Sequence, residues 1–417
     1  MTPQHRDAEV VVIGGGVIGV SCAHLLAEEG AKVVLVERGE IACGASFGNA
    51  GAFAFSDIMP LASPGIMRKA PRWLIDPLGP LSVRPAYLPK IAPWLWRFWR
   101  ASAPQACGRS TSAQAALMRL ARSETQRLIE TAGLTSMLRS DGNLELYESA
   151  EELAASMPGW QAREEEGIEF RQLSGEEIAE LQPGLSPRFT HATFVPGWQS
   201  IADPSDYTRA LWESARRLGA GLMSGEVRGL EAEPDHAKVL LSDGSSIRGR
   251  YAVVACGAWS RPLAAALGDH VPLDTERGYN TTLPGEAFDL KRQLTFAGHG
   301  FVVTRLTSGI RIGGAVEFAG LDLPPNFERS DAMLRKAKSF LPALRTEGGH
   351  RWMGFRPSLP DSLPVIGRSS ASARVIHAFG HGHLGLTQSA ATARLVADLV
   401  ADRPPAIDLS PFRASRF

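Results

Sequence analysis

One stretch near the amino terminus leaves few options for the fold: AEVVVIGGGVIGVSCAHLLAEEGAKVVLVERG, residues 8–39. Val10 to Ile13 and Val33 to Val36 are continuous apolar runs, the pattern of strands buried on both faces of a parallel sheet. Between them lies Gly14-x-Gly16-x-x-Gly19 at the head of a helical segment. In such a strand–turn–helix unit the first glycine permits the turn, the second lets backbone approach a pyrophosphate, and the third allows close helix–strand packing. The phosphates then meet the helix amino end. Glu37 closes the second strand about 20 residues on, where an acidic side chain accepts from a ribose diol. The spacing predicts a dinucleotide site and does not separate FAD from NAD. The following RGEIACGASFGNAGAFAF, residues 38–55, is rich in small residues, and Ser46, Asn49 and the glycines at 44, 48 and 51 are suited to wrapping phosphates and a flat ring.

The chain has 417 residues, enough for two domains, with 44% hydrophobic and 21% charged residues. Lys+Arg and Asp+Glu both total 44. That balance argues against nucleic acid as a partner. Four scattered cysteines without a CxxC pair argue against a zinc site, so no metal is expected. A short polar lead runs directly into the first strand without a signal-peptide pattern, and no uninterrupted apolar run is long enough to span a bilayer. A cytoplasmic protein is expected. YLPKIAPWLWRFWRASAP, residues 87–104, combines Trp94, Trp96, Phe98 and Trp99 with Lys90, Arg97 and Arg100. It reads either as a membrane-surface segment or as a packed helix whose arginines snorkel outward.

Farther along, DPSDYTRALWESARRLGA predicts a helix capped at Asp203 or Ser205, with Tyr207, Leu211 and Ala215 on one face. Asp243-Gly244 reads as a hairpin turn before a buried strand at Ala252 to Ala255. GFVVTRLTSGIRIGGAVE reads as paired strands. Near the end, Val375 to Phe379 reads as a strand, Gly380 to Gly385 as a loop, and Leu386 to Leu399 as a helix whose positive amino end suits an electron-rich ring edge. The fold class expected is α/β. A Rossmann-like nucleotide domain is assembled from 1–60, 190–265 and 353–417, and an α+β substrate domain with a large mixed or antiparallel sheet from 61–189 and 266–352.

Five motifs, VVVIGGGVIGVSCAHLLAEEGAKVVLVER, GASFGNAG, YAVVACGAWS, WMGFRPSLPDSLPVIG and GHGHLGLT, stand in one order along nearly the whole chain. In them the sequence resembles the flavin-dependent amino-acid oxidases and dehydrogenases of the D-amino-acid oxidase, glycine oxidase and sarcosine oxidase superfamily, and within it the bacterial D-amino-acid dehydrogenases. The resemblance implies FAD. It places Gly14, Gly16, Val17, Ile18, Gly19, Glu37 and Arg38 on the ADP half, and Ser46, Asn49, Ala50 and Gly51 beside phosphates and flavin. Val227 and Gly257 join the cofactor wall, while Gly382, His383, Leu384, Gly385, Leu386 and Thr387 line the pyrimidine edge. His383 departs from the threonine that such dehydrogenases often carry there.

In the matching segment of that superfamily an arginine grips the substrate carboxylate, which gives Arg356 its expected role. A guanidinium fork suits a carboxylate in a way lysine does not. Pro357 and Pro360 suggest a stiff loop around it; the competing reading is an ion pair with Asp361 or a surface acid. Arg277 and Tyr279 in ERGYN are further candidates near flavin or carboxylate. The implied chemistry is hydride transfer from substrate Cα to flavin N5 in a small D-amino acid, including cyclic ones such as D-proline or D-hydroxyproline. Electrons then pass to a quinone or respiratory acceptor. An oxygen-using oxidase of glycine or sarcosine type, or a flavin-binding subunit without its own activity, are the alternatives. Such oxidases carry a lysine near N5, and the comparable loops here carry Arg277. The partners expected are an amino-acid substrate, an electron acceptor and a peripheral contact with the inner face of the plasma membrane.

Overall fold

The computed structural model describes residues 6–65, 79 and 81–417, and in it the first strand, Arg6–Ile13, lies in the middle of an eight-stranded sheet. Val33–Glu37 runs parallel on one side, followed by Gly221–Ser224, and Ser246–Val254 runs parallel on the other. The last of these forks. Its early residues pair antiparallel with Ala237–Leu241, while its end pairs in parallel with Val375–Phe379. Val10 and Val12 enter one core with helices Val17–Glu28, Pro204–Arg217 and Gly385–Val400. Val11 and Ile13 enter a second core on the opposite face. Successive strand residues point to opposite faces, so covering both faces requires an unbroken apolar run.

The second sheet has nine strands. Its path runs from the edge strand His350–Ser358 through Asp274–Leu283, Gly309–Phe318, Phe301–Leu306 and Gln293–Phe296 to Asn143–Tyr147, His191–Val195 and Arg171–Ser174. Most pairings are antiparallel; Gln293–Phe296 with Asn143–Tyr147, and Leu81–Val83 with Gly309–Phe318, are parallel. Leu144, Leu294, Val303 and Ile312 pack one face against Met333, Ala337 and Phe340 of helix Glu328–Phe340. The opposite face looks toward the carboxyl ends of the nucleotide sheet. A small sheet of Ala52–Phe53, Gln199–Ile201 and Leu138–Arg139 lies between the two.

Three boundaries differ from the sequence reading. Helix Pro104–Thr131 falls in the segment expected for the substrate domain, yet Leu117, Ala121 and Leu128 join the nucleotide core. His191–Val195 pairs in the second sheet although it lies beyond residue 190, and His350–Ser358 crosses position 353 without leaving that sheet. Strand pairing, which is non-local, decides where a discontinuous domain changes over. Arg356 accordingly sits in an edge strand and not in a proline-stiffened loop. Pro357 is tolerated because an edge strand has one side free of the ladder.

Candidate active site

The nucleotide end is built by glycines whose local geometry is demanding. Gly14 has φ +112°, and a Cβ there would lie 2.5 Å from the Ala255 carbonyl oxygen. A Cβ on Gly19 would fall 1.9 Å from the Gly14 carbonyl oxygen. Gly16 is the N-cap of helix Val17–Glu28 and has no side chain to cap it. Ser46 does this from 29 residues away, its Oγ accepting from Val17 N at 2.9 Å. Glu37 Oε2 accepts from Gly15 N at 2.5 Å and Oε1 from Gly39 N at 2.8 Å, so the carboxylate also braces the turn. The Arg38 guanidinium stacks 4.2 Å over Trp259.

From this end a cavity of about 1010 Å³ extends over the cavity-facing side of the second sheet. Val227 and Gly257 border it, as do Val17, Ile18, Asn49 and Ala50. Gly19 and Gly51 do not line it. Gly19 serves helix packing, and Gly51 (φ +76°) turns the chain against Leu306, with its amide donating to Asn49 Oδ1 at 2.7 Å. Arg311, on the second sheet, donates to the Asn49 carbonyl at 2.5 Å, pinning the small-residue loop to the cavity; burial lowers the pKa of its guanidinium.

The opposite wall is the loop before helix Gly385–Val400. Gly380 and Gly382 both have positive φ, and Gly382 N donates to the Pro357 carbonyl at 2.7 Å. This ties the glycine loop to the strand carrying Arg356. Thr387 Oγ1 accepts from Ala54 N at 3.0 Å and donates to the Ala52 carbonyl at 3.3 Å, while Leu384, Gly385 and Leu386 face the cavity. His381 is buried against Thr392 Oγ1 at 2.9 Å, and burial pushes its pKa down to about 3. His383 pairs with Asp57 Oδ2 at 3.1 Å. Burial pushes the Asp57 pKa up, but His383 and Arg163 together outweigh it and hold the carboxyl low.

Arg356 lines the cavity with its guanidinium lying flat over Gly278, where a Cβ would meet Nη2 at 2.5 Å. Nη1 donates to the Ala315 carbonyl at 3.1 Å. Ala315 has φ +56°, at a register shift between Gly309–Phe318 and Asp274–Leu283, and the bulge aims that carbonyl at the arginine. Burial lowers the Arg356 pKa, with Glu276 opposing. No carboxylate lies within ion-pair distance of Arg356 among the described residues.

Arg277 must be corrected. Its side chain is 0% exposed, donates to the backbone carbonyls of Gly320, Ala319 and Pro324, lies 3.7 Å from Glu317, and does not border the cavity. Tyr279 borders the cavity, but its hydroxyl donates to Glu317 Oε2 at 2.5 Å and accepts from Asn326 N at 3.0 Å. The reason is the strand period of two: the even positions Glu276, Gly278 and Asn280 share the cavity face with Arg356, while Arg277 and Tyr279 send their polar ends the other way. The sequence reading missed Glu276, Arg311 and Glu145. Burial in the cavity wall raises the pKa of the Glu145 carboxyl. The available signal was a charged residue inside an apolar strand, as in GIRIGG.

The family described as DAO, FAD-dependent oxidoreductase, matches residues 9–399. The chain belongs to this family. It is 35% identical over 418 residues to a D-amino-acid oxidase of Bradyrhizobium diazoefficiens, covering 98% of each chain. It is 30% identical to a D-amino acid dehydrogenase of Chromohalobacter salexigens, covering 98% of this chain and 99% of that one. Among solved structures, glycine oxidase from Geobacillus kaustophilus shares the fold with a TM-score of 0.77 at 23% identity, covering 99% of this chain and 100% of that one. The protein is thus an FAD-dependent oxidoreductase, and the cavity fits the cofactor. The turn that forms the cradle needs glycine at Gly14 and Gly19, where a Cβ would strike backbone carbonyls; Gly14 and Gly16 line the cavity, and its volume reaches the upper end of ordinary ligand pockets. Among the described residues no helix is long and apolar enough to cross a membrane.

Proposed function

We propose that this FAD-dependent oxidoreductase oxidatively deaminates small D-amino acids, cyclic ones such as D-proline and D-hydroxyproline included, and passes the electrons to a quinone or respiratory acceptor. The observation that carries this reading is Arg356, a guanidinium in the cavity wall with no carboxylate partner among the described residues, tied through Pro357 to the glycine loop. FAD, when bound, supplies the acceptor for a hydride from the substrate Cα. The chain's own groups hold the substrate carboxylate at Arg356, orient Cα and exclude water. The imine so formed is hydrolysed to a 2-oxo acid and ammonia; from a cyclic secondary amine it is a cyclic imine. His381, kept neutral by burial, is no proton donor near neutral pH.

No lysine borders the cavity among the described residues, which supports a dehydrogenase. The 35% identical relative bears the name of an oxidase, which favours oxygen as the second reading. A peripheral membrane contact through helix Leu88–Ala101 accompanies the first reading. Ile91 and Trp94 pack against Phe318, whereas Trp96 and Trp99 are 52% and 55% exposed.

Anaerobic bleaching of the bound flavin across D- and L-amino acids, glycine and sarcosine tests the proposal. Reduction by D-substrates without stoichiometric peroxide in air is the expected outcome. Peroxide formation would establish the oxidase reading, and no bleaching by any amino acid would leave a flavin-binding subunit.

A further inference from the structure

We infer that Glu276 is the second half of the substrate-recognition site and receives the α-ammonium group of the amino acid whose carboxylate Arg356 holds. This rests on the reading of Arg356 given above. Glu276 and Arg356 are directly opposite partners on adjacent antiparallel strands. Partners in that register stand about 5 Å apart at Cα and project from the same face of the sheet. Both border the cavity. Gly278 and Gly354, themselves a register pair, let the Arg356 guanidinium and the Trp352 ring lie down against the strands.

The charges are held side by side without neutralising one another directly. Arg356 Nη1 is drawn to the Ala315 carbonyl, and Glu276 Oε1 accepts from Ser358 Oγ at 2.6 Å. No ion pair joins Glu276 to any cation among the described residues, although its side chain sits in a residue only 3% exposed. A buried carboxylate that makes no direct ion pair leaves its charge incompletely compensated, and a cation delivered by the ligand completes it. An α-amino acid carries both charges on one carbon, as the wall carries them on facing residues. A carboxylate beside Arg356 also weakens its hold on a bare carboxylic acid, so the pair selects zwitterions and disfavours a 2-oxo acid, which lacks the ammonium group.

The test uses the FAD-loaded protein and two ligands of matched shape that have no Cα hydrogen: 2-aminoisobutyrate and pivalate, in which a methyl replaces the ammonium. Binding is read as perturbation of the flavin spectrum. The wild-type protein is expected to bind 2-aminoisobutyrate about tenfold or more tighter than pivalate, the difference of one good charged contact. Glu276→Gln, which keeps an acceptor for Ser358, is expected to abolish or reverse that preference. A wild-type protein that does not distinguish the two ligands, or that fails to bind 2-aminoisobutyrate, overturns the inference, as does a folded Glu276→Gln variant that keeps the preference. Arg356→Lys separates the two readings. Equal weakening of both ligands upholds the carboxylate role whatever happens at Glu276, and no weakening of either removes it.

Discussion

Arg356 and Arg277 lie one register step apart on adjacent strands, yet parity along the backbone sends one into the cavity and the other into a cage of carbonyls. The two arginines should therefore fail differently. Arg356→Lys is expected to raise KM for the amino acid by about tenfold to a hundredfold while the flavin spectrum is retained, because a charge-assisted fork is lost where water is excluded. Steady-state kinetics across a D-amino-acid series checks this, and an unchanged KM would move the carboxylate site elsewhere. Arg277→Ala removes a fully buried cation that serves Glu317 and three carbonyls. A loss of about 3 kcal/mol in urea unfolding is expected, with KM untouched. The triplets ERG and FRP made both residues visible in the sequence. Which faced the cavity was not visible, because parity has meaning only once the register and the buried face are known.

At the scale of elements, the loop GHGHLG is held by His381 below, Pro357 at its side and Asp57 at its rim. His381 has a folded pKa pushed down to about 3 by burial, against 6.5 for an unburied histidine. The unfolded chain therefore binds a proton that the native loop refuses between those values. Stability attributable to this residue is present above pH 6.5 and falls as the pH drops, by about 1.4 kcal/mol per unit. His381→Gln should flatten the dependence of unfolding free energy between pH 7 and 5. His24 and His299, also lowered by burial, contribute equally to both proteins, so the difference isolates the loop. The strand Asp274–Leu283 makes a separate prediction. Gly278→Ala puts a Cβ against the Arg356 guanidinium and is expected to raise KM several-fold, measured beside an unchanged flavin spectrum. Helix and strand positions were largely legible from periodicity and turn residues; the edge strand through Pro357 was not, because proline reads locally as a loop.

For the whole molecule, the exposed tryptophans of helix Leu88–Ala101, with Lys90, Arg97 and Arg100 on the same short helix, define the surface that would meet an anionic bilayer. Replacing Trp96 and Trp99 with serine should reduce retention on anionic liposomes and leave anaerobic flavin reduction intact; equal retention would end the idea of peripheral attachment. The nucleotide half of the molecule follows from sequence with little help, because its demands are local. Gly14 must adopt φ +112°, Gly19 must admit a carbonyl, and the runs around them must be apolar on both sides. The domain boundaries and the amino-acid wall depend on pairing between distant strands. Glu276 and Ser358, bonded at 2.6 Å, are 82 residues apart in the chain. Sequence alone determined the residues present and the cradle for a dinucleotide. Only the tertiary register decided that Glu276 stands opposite Arg356 while Arg277 turns away, since each side chain's face depends on a partner strand that local sequence does not specify.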